Sequence, residues 1–449
     1  MLGANGLRTV FQAVGFILVA RLLGVRGFGA FASVVALVSI FVPFAGYGGG
    51  QLLIRDVARD PETLAERWRT ALWAAVISGG ILWMIAVGIA ALALPRSIPL
   101  GLVVCVASAD LLLGGFLLAS SMAYQGVGRM RRTAQINTLP SLLKFIGVIG
   151  LWLLPVAPGP MALGVVYLAA AVIAAIVALL MVRLELHRPA ARPRKQPYPA
   201  REAFYFCAGL ATRNLYNDLD KTMLARLSTL EATGTYAAAY RIIEMAYLPV
   251  MSMFTATYAS FFRVGASGLR GCIGLARKLM PASLGYAAVA SILVYLCAPL
   301  FPYLTGEQYA ASVQATRWLA LIPVIRAVHH FAADSLTGAG YQPHRTRIQG
   351  FVAAANFAVN LWLIPAYGWL GAAWASLLCD GALVFLLWGT VGLLLQRERH
   401  AKAMTMAITA PATNDLDEPG FSAREKQTAP VTLAGMSSPR ASRRQGSPS

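Results

Sequence analysis

Charge is scarce in this chain: 13% of its 449 residues are Asp, Glu, Lys or Arg, against about 25% in a soluble domain. Acidic residues are scarcer still, 19 against 38 Lys and Arg. With 57% hydrophobic residues and a mean hydropathy of +0.62, the chain cannot hide its side chains in one core, so lipid must solvate much of it. The five cysteines form no CxxC or other metal-ligand spacing, and Cys105, Cys207, Cys297 and Cys379 lie in apolar runs. That removes a disulfide framework and a metal centre from consideration. The Walker pattern G-x-x-x-x-G-K-[ST] is missing, which disfavours ATP-driven transport. No small-residue cleavage site follows the first apolar stretch, so that stretch is expected to stay as a first span. The net charge of +19 would suit nucleic acid, but the basic residues sit in short loops between apolar runs, a pattern of membrane topology. No nucleic-acid partner and no cofactor is expected.

The apolar runs dominate the rest. A helix needs about 20 apolar residues to cross a hydrocarbon core of about 30 Å. Segments of that kind fall at 4–24, 28–48, 70–94, 99–122, 135–155, 160–182, 203–227, 234–260, 280–302, 315–338, 347–366 and 370–395. The expectation is an all-α membrane protein of about twelve transmembrane helices, with Pro43, Pro140, Pro249 and Pro323 within or at the edge of spans. Alternate loops carry the positive charge: Arg55, Arg59, Arg67 and Arg69; Arg129, Arg131 and Arg132; Arg183 to Arg201; Arg263 to Lys278; Arg345 and Arg347. The intervening loops hold little beyond Arg26 and Arg96. The positive-inside rule then puts the first set and both termini in the cytoplasm. The longest loop on the other side spans 303–314, too short for the periplasmic domain expected of a polysaccharide polymerase or ligase.

A basic, Pro-rich break at 184–202 divides a first half, 1–183, from a second, 203–395, and a polar Ser/Pro-rich tail, 396–449, is expected to be disordered. The halves echo each other. ARLLGVRGFGAFA (20–32) recurs as ARLSTLEATGTYA (225–237) at an offset of 205, so that Ala20, Arg21, Leu22, Gly29 and Ala32 match Ala225, Arg226, Leu227, Gly234 and Ala237. Pro43 and Pro249, Gly126-x-Gly128 and Gly338-x-Gly340, and LWLLP (151–155) and LWLIP (361–365) follow in the same order. Two six-helix repeats that enter the membrane from the same side are related by an axis along its normal, with a site expected near the midplane between them.

The order of motifs resembles a known family. ARLLGVRGFGAFA followed by GYGGGQLLIRDVAR (46–59), DKTMLARL (220–227), GTYAAAYRI (234–242), TGEQY (305–309) and NLWLIPAYGWLGAAWAS (360–376) is similar to Wzx-type flippases of lipid-linked oligosaccharides. The resemblance covers about residues 10–395 and departs in a short N-terminus and a long C-terminal tail. It implies the MATE-like fold of the multidrug/oligosaccharidyl-lipid/polysaccharide transporters. It also implies a non-enzymatic protein of the bacterial inner membrane that moves polyprenyl-pyrophosphate-linked repeat units between leaflets by alternating access. The product would serve O-antigen, capsule or exopolysaccharide synthesis, with a polymerase and glycosyltransferases as partners. A cation-coupled exporter of small molecules with the same fold, and a non-transporting component of a glycan-assembly complex, stay open beside it.

An ionisable group in hydrocarbon costs about 2.5–3.5 kcal/mol on insertion scales, so each needs a partner or a purpose. Asp110, Lys144, Arg213, Arg241, Glu244, Arg326 and Asp380 fall near mid-span, and Arg8, His329, His330 and Asp334 nearer one end. An anionic pyrophosphate calls for guanidinium, which makes Arg213, Arg241 and Arg326, with Arg8 and Lys144, the candidates for a cationic path. Asn356 and Asn360, one helical turn apart, are candidates for a polar cavity wall. Asp110, Glu244, Asp334 and Asp380 are candidates for carrying a coupling ion. The competing reading is structural: Lys144 neutralising Asp110, and Arg241 pairing with Glu244 at i,i+3.

Overall fold

A computed structural model describes residues 2–46, 50, 53–54, 56–57, 60–155, 158–186 and 200–409. No strand occurs among them. Met1–Glu398 form one compact unit, which contains the site, and Arg399–Ser449 form a second. Most of the linker expected over 184–202 and most of the tail expected over 396–449 lie outside the described residues.

The first helix, α1 (Leu2–Ser39), is broken at Gly24, whose φ of 63° departs from helical geometry. The chain reverses there. The rings of Phe16 and Phe28 sit 5.4 Å apart, where twelve residues of straight helix would separate them by about 18 Å. The two arms are therefore the two spans expected over 4–24 and 28–48. Glycine at position 24 supplies a backbone conformation that L-residues rarely adopt.

The passes that follow are α2 (Leu64–Ala93), α3 (Leu100–Ala107), α4 (Gly114–Gly126), α5 (Met130–Trp152) and α6 (Pro160–Leu186). A π-helical segment, Ser108–Leu113, joins α3 to α4 and carries Asp110. The second half runs through α7 (Ala200–Leu227), α8 (Leu230–Gly265), α9 (Leu269–Cys297), α10 (Phe301–Thr305), α11 (Ala310–Leu319), α12 (Ile322–Gly338), α13 (Gln342–Tyr367) and α14 (Trp369–Thr409). Nine stretches among the described residues are long and apolar enough to cross a membrane, so the protein is a multi-pass membrane protein. Helices α7 and α8 are not among those nine, and they carry Asp218, Asp220, Lys221, Arg241 and Glu244.

Two details differ from expectation. The segment expected over 315–338 lies in a stretch long and apolar enough to cross, but its helix breaks at Ala320–Leu321 into α11 and α12. Pro323 has no N–H to bond the preceding turn, and its ring would strike the carbonyl four residues earlier; it sits in the first turn of α12 instead. The prolines paired in the repeat also differ. Pro43 is the second residue of a short 3-10 turn, Val42–Phe44, beyond the end of α1, whereas Pro249 lies inside α8.

The repeat itself is visible in the packing. A Cβ on Gly29 would lie 1.9 Å from the Leu230 carbonyl oxygen, and one on Gly234 would lie 1.9 Å from the Val25 carbonyl oxygen. Val25 and Leu230 stand at the same offset as the two glycines. Gly128 and Gly340 both take positive φ, 75° and 85°, and close their helices with the same bond pattern: Arg129 N to Tyr124 O at 2.9 Å, and Tyr341 N to Leu336 O at 2.7 Å. Just beyond, the Tyr341 hydroxyl donates to Glu398 Oε1 at 3.1 Å. Partial burial first, and then this bond and the carboxylate charge, raise the Tyr341 pKa above that of an ordinary tyrosine.

Candidate functional site

One large cavity, about 790 Å³, opens among α7, α8, α12, α13 and α14, with Thr9 and Gln12 of α1 at its edge. Helical spacing explains the lining. Arg241, Glu244, Tyr247, Leu248, Met251, Phe254, Thr255 and Tyr258 recur at three and four residues along one face of α8. Arg326, His329, His330 and Asp334 do the same on α12, and Gln342, Arg345, Thr346 and Gln349 on α13. The cavity deepens from the exposed Thr255, Tyr258 and Thr346 to the buried Asp380.

Asp380 is fully buried and well supplied with donors. Arg326 Nε lies 3.1 Å from its Oδ2, the Tyr216 hydroxyl donates to its Oδ1 at 2.5 Å, and His329 Nε2 stands 3.5 Å from Oδ1. Arg326 also donates to Asn217 Oδ1 at 3.2 Å and to the Tyr240 hydroxyl, with its guanidinium 5.4 Å from the Tyr240 ring centre. Nearer the mouth, Arg345 Nη1 lies 3.3 Å from Asp334 Oδ1 and 2.8 Å from Thr337 Oγ1. Arg241 pairs with Glu244 at 3.2 Å, and these side chains keep 38% and 36% exposure, against 12% for Arg326. The expected surplus of cations is not what the described lining holds: Arg241, Arg326 and Arg345 each have a carboxylate, Glu244, Asp380 and Asp334 respectively.

The other sequence candidates fall elsewhere. Asp110 accepts the Tyr167 hydroxyl through both oxygens at 3.0 and 3.1 Å, while the Lys144 ammonium sits 3.2 Å from the centre of the same ring. Asn356 and Asn360 are buried, and Asn360 Nδ2 bonds the Asn356 carbonyl and amide oxygens at 2.9 and 3.0 Å; neither lines the cavity. Arg8 and Arg213 lie in α1 and α7, and their side chains are outside the described residues. A polar seam ties the halves together: Ser39 Oγ donates to Asp218 Oδ2 at 2.7 Å, and Asp218 pairs with Lys221 at 2.6 Å. No group of three or more His, Cys, Asp or Glu that could hold a metal occurs among the described residues.

Sequence reasoning missed Arg345, which it assigned to a loop, and the aromatic residues of α8. Tyr240, Tyr247, Phe254 and Phe261 recur every seven residues and are all buried. That stripe was present in the sequence as a signal.

The fold is shared with solved membrane transporters. An inward-facing multidrug-resistance MATE transporter of the MOP superfamily aligns over 87% of this chain and 96% of its own, with a TM-score of 0.69 and 15% identity. The lipid II flippase MurJ in an inward closed conformation aligns over 87% and 86%, with a TM-score of 0.63 and 9% identity. A MOP transporter from Pyrococcus furiosus gives 0.59 at 14% identity, over 87% and 93%. No curated protein sequence matches the chain significantly. Residues 1–264 match the family described as polysaccharide biosynthesis protein, and the chain belongs to that family.

Proposed function

We propose that the protein is a flippase that moves polyprenyl-pyrophosphate-linked oligosaccharides across the bacterial inner membrane by alternating access, for assembly of a surface polysaccharide. Membership of the polysaccharide biosynthesis family carries this reading. The 790 Å³ cavity supports it with a place for a polar, bulky cargo. In this reading the mouth faces the cytoplasm, since Arg345 and Arg347 sit in the nearby basic region, and both termini share that side. A polymerase and glycosyltransferases would act after and before it.

The test is direct. The protein reconstituted in vesicles should accelerate the exchange of a fluorescent polyprenyl-pyrophosphate oligosaccharide between leaflets. A rate equal to that of protein-free vesicles would overturn the proposal. Export of small molecules coupled to a cation is the second reading, favoured by Glu244, Asp334 and Asp380 in the cavity wall. Efflux of cationic dyes from cells expressing the protein, without glycan exchange in vesicles, would select it.

A further inference from the structure

The cavity offers a ligand two kinds of surface. On α8, Tyr247, Phe254 and Tyr258 turn toward it, with His330 of α12 stacked on Phe254 at 4.9 Å between ring centres. On α13, Gln342, Thr346 and Gln349 follow one another at helical spacing. Amide and hydroxyl groups both donate and accept hydrogen bonds. Aromatic faces attract C–H edges through their negative quadrupole. Together these are what a sugar ring presents: hydroxyls at its rim and C–H groups on its faces.

The charged groups of the lining behave differently. Each described guanidinium is held by a carboxylate of the same wall, at 3.1 to 3.3 Å. A ligand carboxylate entering the cavity would meet cations already compensated and would approach Glu244 or Asp334, a like-charge juxtaposition that opposes binding.

We propose that this cavity is a subsite for the glycan part of the cargo and that it selects repeat units built of uncharged sugars over units bearing uronic acids. The proposal rests on the flippase reading and deepens it. The aromatic wall and the amides hold the neutral rings. Among the described side chains, the paired charges keep the wall polar without giving an acidic sugar an uncompensated cation.

Two fluorescent polyprenyl-pyrophosphate trisaccharides, identical except that one carries a hexuronic acid in place of a neutral hexose, decide the matter in vesicles holding the full chain. The neutral probe should cross at least about tenfold faster, the equivalent of ~1.4 kcal/mol. Glu244→Gln and Asp334→Asn each remove a carboxylate at nearly constant size and should narrow the gap by speeding the acidic probe. Both variants are first checked for an unchanged elution profile in detergent. Equal or faster passage of the acidic probe through the unaltered protein overturns the subsite while leaving the transport reading in place. A gap that persists in both variants overturns this cavity as the source of selectivity. If neither probe crosses faster than in empty vesicles, the flippase reading itself fails, and the subsite with it.

Discussion

Gly29 and Gly234, equivalent positions of the internal repeat, face each other across the boundary between the halves so closely that a Cβ on either would overlap the opposing backbone. The contact is reciprocal: Gly29 lies against the Leu230 carbonyl and Gly234 against that of Val25, and these two are themselves equivalent. One turn away Arg26 and Glu231, again the same repeat position, pair at 3.5 Å. Reciprocity of this kind is what a two-fold axis imposes on an interface. The axis therefore passes between α1 and α8, at the end of the bundle where the chain reverses at Gly24.

Gly29→Ala and Gly234→Ala should each lower stability by about 1–3 kcal/mol, the usual penalty for inserting volume into a packed interface. Because both methyl groups would be accommodated by the same small separation of α1 from α8, the double variant should cost less than the sum of the singles. Gly80→Ala is the control, since a Cβ there meets nothing within 4 Å, and its effect should be neutral or slightly favourable. Thermal unfolding in detergent measures all four. Single variants as stable as the parent would mean that the glycines are not required for the close approach.

Arg326 and Asp380 form the most buried guanidinium–carboxylate pair of the described lining. Arg326→Met leaves a carboxylate with no exposure without its guanidinium and should cost about 3–5 kcal/mol. Adding Asp380→Asn removes the stranded charge and should recover at least half of that loss. A double variant no more stable than Arg326→Met would show that the arginine acts through packing on Tyr240 instead.

Arg241 should behave in the opposite way. Its pair with Glu244 is more than a third exposed, and such pairs contribute about 0–1 kcal/mol. Arg241→Gln should leave the melting temperature nearly unchanged while, by leaving Glu244 without its cation, slowing exchange of the acidic glycan probe further in vesicles. Unimpaired exchange of that probe would remove Arg241 from the path.

These contrasts mark what the sequence could and could not convey. Span positions outside α7 and α8 were legible because lipid imposes a length and a composition on a crossing. The break after position 24 was legible from composition, and the offset of 205 marked Gly29 and Gly234 as equivalent positions without showing that they meet. The state of the charges was not legible. Spacing of three along one helix suggested the Arg241–Glu244 pair, but Arg326–Asp380 and Arg345–Asp334 join different helices, α12 with α14 and α13 with α12. A lone sequence gives depth along each helix but no rotation of one helix against the next. An excess of cations counted by position therefore became a balanced wall once partners from neighbouring helices were in place. Asn356 and Asn360 illustrate the same limit: one turn apart on α13, they turn toward each other and away from the cavity lining.

The Asp110 cluster separates a structural role from a coupling role. Tyr167→Phe keeps the ring under the Lys144 ammonium and deletes the hydroxyl that Asp110 accepts through both oxygens. A hydrogen bond to a charged group contributes about 1.5–3 kcal/mol, so the variant should melt at a lower temperature. If Asp110 serves only to hold α6 against the π-helical segment, exchange of the neutral glycan probe should keep the parent's dependence on pH and on sodium. Because the carboxylate is then less well satisfied, a coupling role would instead shift one of those dependences while the protein remains folded. We expect the first outcome, because the Tyr167 hydroxyl bridges both carboxylate oxygens and the Lys144 ammonium sits on the same ring. A shifted pH or sodium profile in folded Tyr167→Phe would move Asp110 from the scaffold to the transport cycle.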